Sequence, residues 1–163
     1  MPGVGTGSTV APRAVGIDCR LATGADEFEA HFALRRAVFV REQRLFALDD
    51  RDELDAQPTT LHAIGLVEGE PCGAVRLYPL ETAQWKGDRL AVRSELRTKH
   101  LGAALVRFAV ATAGQLGGIR MIAHVQLPNV RFFEHLGWRS EGEPAPFHGV
   151  EHQLMSIQLD RGA

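Results

Sequence analysis

The stretch RTKHLGAALVRFA, residues 97–109, brings two cationic side chains and a histidine to a single glycine, where a helix is predicted to begin. A short loop that leads into a helix gathers unpaired backbone N–H groups at the positive end of the helix dipole. Arg97 and Lys99 add full charges, and the small residues from Gly102 to Ala104 let a phosphate approach the backbone closely. The stretch therefore predicts a binding site for an anion such as pyrophosphate. An exposed basic loop at a strand-helix junction is the alternative interpretation.

Hydrophobic spacing on both sides of this stretch predicts alternating strands and helices. In the central helix, Leu101, Leu105 and Phe108 share one face, and Gly117 follows as a stop signal. The predicted strands are 17–22, a hairpin over 61–80, 86–92, 119–127 and two C-terminal segments, 138–144 and 152–159; the predicted helices are 23–43, 101–116 and 128–136. This order predicts one α/β (α+β) domain in which helices cover a mixed sheet.

Composition limits the function classes. The chain has 163 residues and a formal net charge of -2 at pH 7. This length suits one domain, assigned to residues 17–160, and the Gly- and Pro-rich residues 1–16 are predicted to form a flexible tail. The charge balance argues against nucleic acid as a partner, and the lack of a long apolar run argues against a membrane. With two cysteines far apart in sequence, the economical interpretation is a cytoplasmic protein with reduced thiols.

Two further segments lie between the first predicted strand and the hairpin. The helix over 23–43 is predicted to begin with Thr23 and Asp26 in capping-box spacing. The segment LDDRDELDAQPTT, residues 48–60, is rich in acidic side chains and has no apolar period; it is called the acidic loop below. We expect this loop to be exposed and solvated, and a rim that attracts polyamines is the alternative.

With strand 86–92 before it and HVQLPNVRFFEHLGW, residues 124–138, after it, the basic stretch resembles the acetyl-CoA signature of the GNAT acetyltransferase superfamily. In that signature a strand is followed by Arg/Gln-x-x-Gly-x-Gly/Ala and a helix. Here the pattern runs from Arg97 to Gly102, and His100 stands where the family usually has glycine.

Two outer segments resemble one branch of that superfamily. ALRRAVFVREQ, residues 33–43, and FHGVEHQLMSI, residues 147–157, are similar to the helix end and the chain ending of ElaA-like proteins. Together with the acetyl-CoA signature, the resemblance covers about residues 17–160, which is nearly all of the predicted domain.

The resemblance implies a mostly antiparallel mixed sheet flanked by helices, and an N-acyltransferase that uses acetyl-CoA and no metal. The acyl group would pass to a primary amine of a small molecule by direct attack in a ternary complex. The residues implied in coenzyme binding are Leu90, Ala91, Val92, Arg97, Lys99, His100, Leu101, Gly102, Ala103, Ala104, Asn129, Phe132 and Phe133. Among them, Val92 is nominated to donate its backbone N–H to the oxyanion, since a fixed donor there is worth about 3–4 kcal/mol.

A base is also expected, because a lysine-like amine with a pKa of about 10.4 is almost entirely protonated at pH 7. The candidates are Glu42, His124 and His152. Glu42 lies near the C-terminal end of a predicted helix, where a purely structural carboxylate would need a cationic partner. His124 would equally suit a protein core. His152 could instead join His148 in a metal site, although turn signals between them argue against that.

The sequence contains no obvious general acid to protonate the departing sulfur. Phe133 occupies the position at which many GNAT members have a tyrosine that protonates the thiolate, and the only tyrosine, Tyr78, lies in the predicted hairpin. A thiol with a pKa of about 8.5 can leave unassisted, so catalysis would be slower without being prevented. Phe133 and His100 together keep an alternative open, namely a catalytically weak acyl-CoA-binding regulatory or accessory module. The sequence is compatible with a monomer or a homodimer.

Overall fold

The computed structural model describes residues 16–96 and 100–160. These residues form the strands β1 Ile17–Leu21, β2 Leu61–Val67, β3 Glu70–Pro79, β4 Gln84–Val92, β5 Arg120–Gln126, β6 Arg139–Ser140, β7 Ala145–Phe147 and β8 Val150–Gln158, and the helices α1 Gly24–Arg35, α2 Leu101–Gln115 and α3 Val130–His135. Residues 1–15 of the predicted tail, and Arg97 and Lys99 of the predicted anion site, lie outside the described residues. None of the described helices is long and apolar enough to cross a membrane.

The strands form one mixed sheet in the order β1-β2-β3-β4-β5-β8-β6, and β7 lies beside β8. Each of these pairs is antiparallel except β4 with β5, which run parallel. The predicted fold class, a mostly antiparallel mixed sheet flanked by helices, is therefore confirmed. The predicted hairpin is β2 and β3, which turn at Glu68 and Gly69 with φ values of 50° and 81°.

Helices α1 and α2 lie on opposite faces of the sheet. Since side chains alternate along each strand, each helix contacts a different set of strand residues. On one face, the His62 ring of β2 contacts the His31 ring of α1 with a centroid distance of 4.8 Å. On the other face, Gly65 and Gly73 lie beneath α2, and a Cβ atom added at either would come within 2.7 Å of a leucine side chain of that helix. The two glycines thus let α2 pack closely on the sheet.

The start and the end of the first predicted helix differ from expectation. The Thr23 side chain makes no cap hydrogen bond, and its backbone N–H donates to Glu27 Oε1 at 3.0 Å, so Glu27 takes the place predicted for Asp26. Beyond α1, the segment Arg36–Glu42 is π-helical. A π-helical turn changes which side chains face inward, and here Phe39 is 8% exposed and lies against the sheet.

The prediction of an exposed acidic loop is wrong for its central residues, because buried arginines bind them. Asp50 is 0% exposed, and its Oδ2 accepts a hydrogen bond from Arg35 Nε at 2.7 Å. Asp55 accepts two more from Arg35, at 2.7 and 3.0 Å. Arg35 is also 0% exposed, and Arg76 is 1% exposed. A buried guanidinium requires carboxylates beside it, so the loop folds inward.

The C-terminal strands also differ from prediction. The strand predicted over 138–144 is wrong for most of its length, because β6 has two residues and Gly142, with φ 70°, follows soon after. The sequence reasoning missed β7, which pairs with β8 around a turn at His148 and Gly149. This short hairpin matters for the site, since it carries Phe147 over the sheet.

Candidate active site

A cavity of about 150 Å³ opens where β4 and β5 separate. The two strands pair from Gln84 to Lys86 and from Arg120 to Ile122. Further along they diverge, and residues 87–90 of β4 and 123–126 of β5 line the gap. The other lining residues are Phe39, Gln43, Leu45, Phe46, Val75, Lys86, Val106, Ala109, Asn129, Phe133, Trp138, Phe147, His148 and His152.

Residues from both faces of the sheet line the cavity. Along β5, Ala123 and Val125 are buried in the core with α2, whereas His124 and Gln126 alternate with them and point to the opposite face. The wall on the α2 face is apolar and consists of Val106, Ala109, Phe133 and Trp138. The wall on the other face is polar and aromatic and includes Gln43, Phe46, Lys86, Asp88 and Phe147. The gap between β4 and β5 thus lies between an apolar wall and a polar, aromatic wall.

Strand β4 contains a bulge beside the cavity. Its register against β3 shifts so that Arg89 and Leu90 together lie opposite Val75. Arg89 has φ 53°, a left-handed conformation that costs about 1 kcal/mol or more for a residue with a Cβ atom. A bulge interrupts the ladder of backbone hydrogen bonds. Leu90, which follows Arg89 in the bulge, lines the cavity.

The acidic loop holds the bulge in place through Arg89. The Nη2 atom of Arg89 donates to the backbone oxygen of Asp50 at 3.1 Å and to Asp52 Oδ2 at 3.3 Å. Its Nε atom lies 3.1 Å from Asp50 Oδ2, and its guanidinium lies 4.8 Å from the centroid of the Phe46 ring. The inward fold of the loop thus fixes one wall of the cavity.

Further ion pairs lie behind this wall. Arg76 donates to Asp88 Oδ1 and Oδ2 at 2.7 and 2.6 Å and to Asp52 Oδ1 at 2.6 Å. Burial alone would lower the pKa of Arg76, but the hydrogen bonds with Asp88 and Asp52 outweigh burial and raise it. Burial alone would raise the pKa of Asp55, but hydrogen bonds from His62 and Arg35 lower it. Arg76 and Asp55 are therefore charged at neutral pH.

His124 stacks on Phe147, with a centroid distance of 4.3 Å and an interplanar angle of 6°. Its Nδ1 atom is buried and has no hydrogen-bond partner among the residues described. Burial lowers the pKa of His124, and the charge of Lys86 lowers it further. The ring is therefore neutral at pH 7, in the form that accepts a proton.

Lys86 lies on the same wall as His124. Its Nζ atom is 5.2 Å from the centroid of the Phe147 ring. Burial lowers the pKa of Lys86, and the negative charge of Asp88 opposes this effect in part. The sequence reasoning missed Lys86 and Asp88, although alternation along the predicted strand 86–92 places them on one face. It also missed Gln43, Trp138 and Phe147.

The described part of the predicted coenzyme loop surrounds the start of α2. Leu101 and Ala103 are buried against the sheet, with 0% and 8% exposure, and Ala104 is partly buried. A Cβ atom added at Gly102 would lie 3.6 Å from Phe132 Cζ, so these two residues are neighbours. His100 precedes the helix with φ 64°, which is the left-handed conformation that favours glycine.

The remaining predicted coenzyme residues lie along the gap or beside it. Leu90, Asn129 and Phe133 line the cavity. Ala91 and Val92 are buried in β4, with 0% and 8% exposure, and lie outside the lining. The β4 residues that line the cavity therefore end at Leu90, before the nominated Val92.

The three candidate bases have different positions. His124 and His152 line the cavity, whereas Glu42 is exposed and lies outside its lining. The neighbouring Gln43 does line it, and its Oε1 accepts a hydrogen bond from Gln126 Nε2 at 2.9 Å. His152 Nδ1 is 2.7 Å from the backbone oxygen of Val150 and must donate to it, so Nε2 is the basic nitrogen of the neutral ring. Among the residues described, no group of three or more His, Cys, Asp or Glu side chains is placed to hold a metal ion.

Residues 26–138 match the Acetyltransferase (GNAT) family. A candidate acetyltransferase of Bacillus subtilis (strain 168) is 27% identical over 139 residues, which are 85% of this chain and 94% of that protein. The crystal structure of a candidate N-acetyltransferase from Lactobacillus plantarum superposes with a TM-score of 0.78 and 26% identity, over 88% of this chain and 99% of the other. Escherichia coli ElaA has the same fold, with a TM-score of 0.76 and 21% identity over 86% of this chain and 99% of ElaA.

Proposed function

The chain belongs to the Acetyltransferase (GNAT) family, and from this we propose that it transfers an acyl group from acetyl-CoA, or another acyl-CoA, to a primary amine of a small molecule. The observation that carries the proposal is the cavity between β4 and β5, because its apolar wall suits a donor and its polar wall suits an acceptor at one gap. Neither Cys19 nor Cys72 lines this cavity, and burial raises the pKa of Cys19 to about 11. Direct attack by the amine therefore fits better than an acyl-cysteine intermediate.

The donor enters from the α2 face in this proposal. The apolar wall of Val106, Ala109, Phe133 and Trp138 suits a flexible pantetheine arm, and the N-terminal end of α2 suits its phosphates. Arg97, Lys99 and the backbone near Gly102 remain the proposed phosphate contacts. His100 keeps its side chain without blocking the helix start, because the left-handed backbone turns it outward to an exposed position.

The oxyanion is stabilised by backbone of the β4 bulge. Leu90 replaces Val92 as our first candidate donor, because Leu90 lines the cavity and follows the left-handed Arg89. A fixed N–H group in a site sheltered from water is worth about 3–4 kcal/mol to the transition state. The ion pairs of Arg89 with the acidic loop keep that group in place during the reaction.

The attacking amine must lose a proton, and His124 is the preferred acceptor. It lines the cavity on the acceptor side, and burial keeps it neutral at pH 7. His152, with Nε2 basic, is the second candidate on the same wall. Glu42 remains a proposed base, and this role would require the acceptor to extend beyond the cavity lining. The thiolate leaves without an acid, since Phe133 has no proton to give and a thiol has a pKa of about 8.5.

Phe133, which cannot protonate the departing sulfur, is the one residue that favours a second function without efficient catalysis. A GNAT-fold module that binds acyl-CoA and regulates or assists a partner would need the donor side of the cavity and no acid for the sulfur. The acceptor side, with His124, Lys86 and Asp88 at the gap, favours catalysis.

Calorimetric titration and thiol release together test the proposal. We expect the purified protein to bind acetyl-CoA and desulfo-CoA, and to release free coenzyme thiol only when a primary amine from a mixed panel is added. Binding without release for any amine would support the binding module. No binding of either coenzyme would contradict both functions.

A further inference from the structure

Lys86 carries a charge that the described protein leaves without a counter-ion. Asp88, two residues along the same face of β4, already accepts two hydrogen bonds from Arg76 at 2.7 and 2.6 Å. Arg89, the other cation in the cavity wall, is paired with the acidic loop. Within residues 16–96 and 100–160, no carboxylate lies within ion-pair distance of Lys86, and its contact is the ring of Phe147.

This arrangement leaves the ammonium group of Lys86 available to a ligand in the cavity. An ammonium group has three N–H donors, and an aromatic ring satisfies them only weakly. Lys86 is partly buried in the cavity wall, and this burial lowers its pKa. Ionisable groups with a shifted pKa in a cleft are concentrated at functional sites.

We propose that Lys86 binds a carboxylate of the acceptor, so that the acceptor is an amino acid with several bonds between its amine and its carboxylate. This inference rests on the acyltransferase function proposed above. A single ammonium matches a carboxylate, whereas a phosphate dianion would require a second uncompensated cation on the wall. Phe39 and Phe46 line the same side of the cavity and suit an aliphatic chain between the two polar ends.

The spacing along β4 sets the length of the acceptor. Lys86 is four residues from Leu90, and a strand rises about 3.3 Å per residue, so the two sites are roughly 10 Å apart after allowance for the bulge. The lysine side chain covers part of this distance. An α-amino acid, whose two groups are on the same carbon, is too short to reach both sites.

A length series of acceptors tests the proposal. The carboxylate acceptors are glycine, β-alanine, γ-aminobutyrate, δ-aminovalerate and ε-aminocaproate, and each is compared with the alkylamine that has a methyl group in place of the carboxylate. The measured quantity is the ratio of kcat/KM for each acid to that for its matched amine, with acetyl-CoA as donor. The variants are Lys86→Met, Lys86→Arg and Arg41→Met; Arg41 is exposed and lies outside the cavity lining.

In the wild type we expect the ratio to rise along the series and to favour a longer acid by about tenfold or more, which is the worth of a hydrogen bond to a charged group. Lys86→Met should bring this ratio close to one, Lys86→Arg should keep most of it, and Arg41→Met should leave it unchanged. A ratio near one throughout the wild-type series would overturn the proposal. An equal loss of kcat/KM for acids and for amines in Lys86→Met would also overturn the proposal, because Lys86 would then act as a base or hold the fold.

A binding measurement separates this proposal from the acyltransferase function. If no amine gives thiol release, the acyltransferase function fails, and thermal unfolding with coenzyme A and ε-aminocaproate decides the Lys86 site alone. A rise in Tm of the wild type that Lys86→Met abolishes would establish the carboxylate site without turnover. No rise in the wild type would reject the site.

Discussion

Arg76 binds Asp88 through two parallel hydrogen bonds, from Nε to Oδ1 at 2.7 Å and from Nη2 to Oδ2 at 2.6 Å. Arg76 is 1% exposed, whereas Asp88 lines the cavity, so the pair connects the interior of the sheet to the candidate active site. In this two-pronged geometry each partner fixes the orientation of the other. Loss of Arg76 would remove the cation that pairs with Asp88.

We expect Arg76→Met to lower the free energy of unfolding by about 3–5 kcal/mol, because Asp88, Asp52 and Asp55 lose their shared cation. Urea unfolding measures the loss. Arg93→Met is the control, since Arg93 pairs with Glu70 and Glu95 on the surface and its loss should matter much less. Equal effects of the two variants would show that the buried pairs contribute no more than surface pairs.

Acid should destabilise the protein through His31. Its Nδ1 donates to the backbone oxygen of Ala63 at 2.9 Å, and burial lowers its pKa to about 3. The unfolded chain, with an ordinary histidine pKa of about 6.5, therefore binds a proton that the folded chain does not. The free energy of unfolding should fall by about 1.4 kcal/mol per pH unit between these two pKa values.

The difference between the wild type and His31→Gln isolates that effect. Urea unfolding at several pH values from 7 down to 5 should give a steeper pH dependence for the wild type than for the variant. His135→Gln, at an exposed histidine, should keep the wild-type slope. Parallel curves for the wild type and His31→Gln would show that His31 does not stay neutral in the fold.

Activity should depend on His124 as the neutral base. We expect His124→Gln to reduce kcat/KM by about 100-fold or more, the usual contribution of a general base. The acidic limb of the wild-type pH-rate profile should lie below pH 6.5, because burial lowers the pKa of His124, and activity should fall as pH falls through that pKa. Phe147→Leu removes the ring stack and should keep the limb. An unchanged acidic limb in His124→Gln would assign the proton transfer elsewhere.

The left-handed backbone at His100 makes His100→Gly a stabilising change. A residue with a Cβ atom pays about 1–2 kcal/mol in this conformation, and glycine avoids that cost but loses more entropy on folding. We expect a net gain of up to about 1 kcal/mol, measured by urea unfolding. His100→Asn should fall between the two, since asparagine tolerates this conformation. A destabilised His100→Gly would mean that the imidazole itself holds the start of α2.

Close packing beneath α2 predicts a cost for Gly73→Ala. The added Cβ atom would lie 2.7 Å from Leu105 Cδ1 and 3.0 Å from Leu101 Cδ2. Overpacking of this kind lowers stability by about 1–3 kcal/mol. The matched strand position is Gly87, where the nearest atom, Met121 Sδ, lies at 3.5 Å and the change should stay within about 0.5 kcal/mol. Equal thermal shifts of the two variants would contradict the packing argument.

Local sequence patterns predicted the elements whose signals lie within one segment. Leu101 and Leu105 mark the buried face of α2 by helical spacing, and the Glu68-Gly69 pair marks the turn between β2 and β3. His124 and Gln126 alternate along β5 as expected. These features depend on neighbours a few residues away, which a single sequence displays directly.

The features that the sequence did not reveal depend on distant partners. Asp50 and Asp55 are acidic residues in a polar segment, and their burial follows from ion pairs with Arg35 and Arg76, whose members are 15 to 21 positions apart. The bulge at Arg89 exists because the acidic loop returns to β4. Lys86 looks like any strand lysine until the structure shows that Asp88 is already bound.

The short pairing of β4 with β5 has a mechanical consequence. The sheet consists of two plates, β1 to β4 and β5 to β8, and three residue pairs from Gln84 to Lys86 form the seam between them. A molecule seated in the gap touches both plates and acts as a brace across the seam. Occupancy of the gap should therefore stiffen the whole sheet, and slower amide exchange would appear on both plates at once.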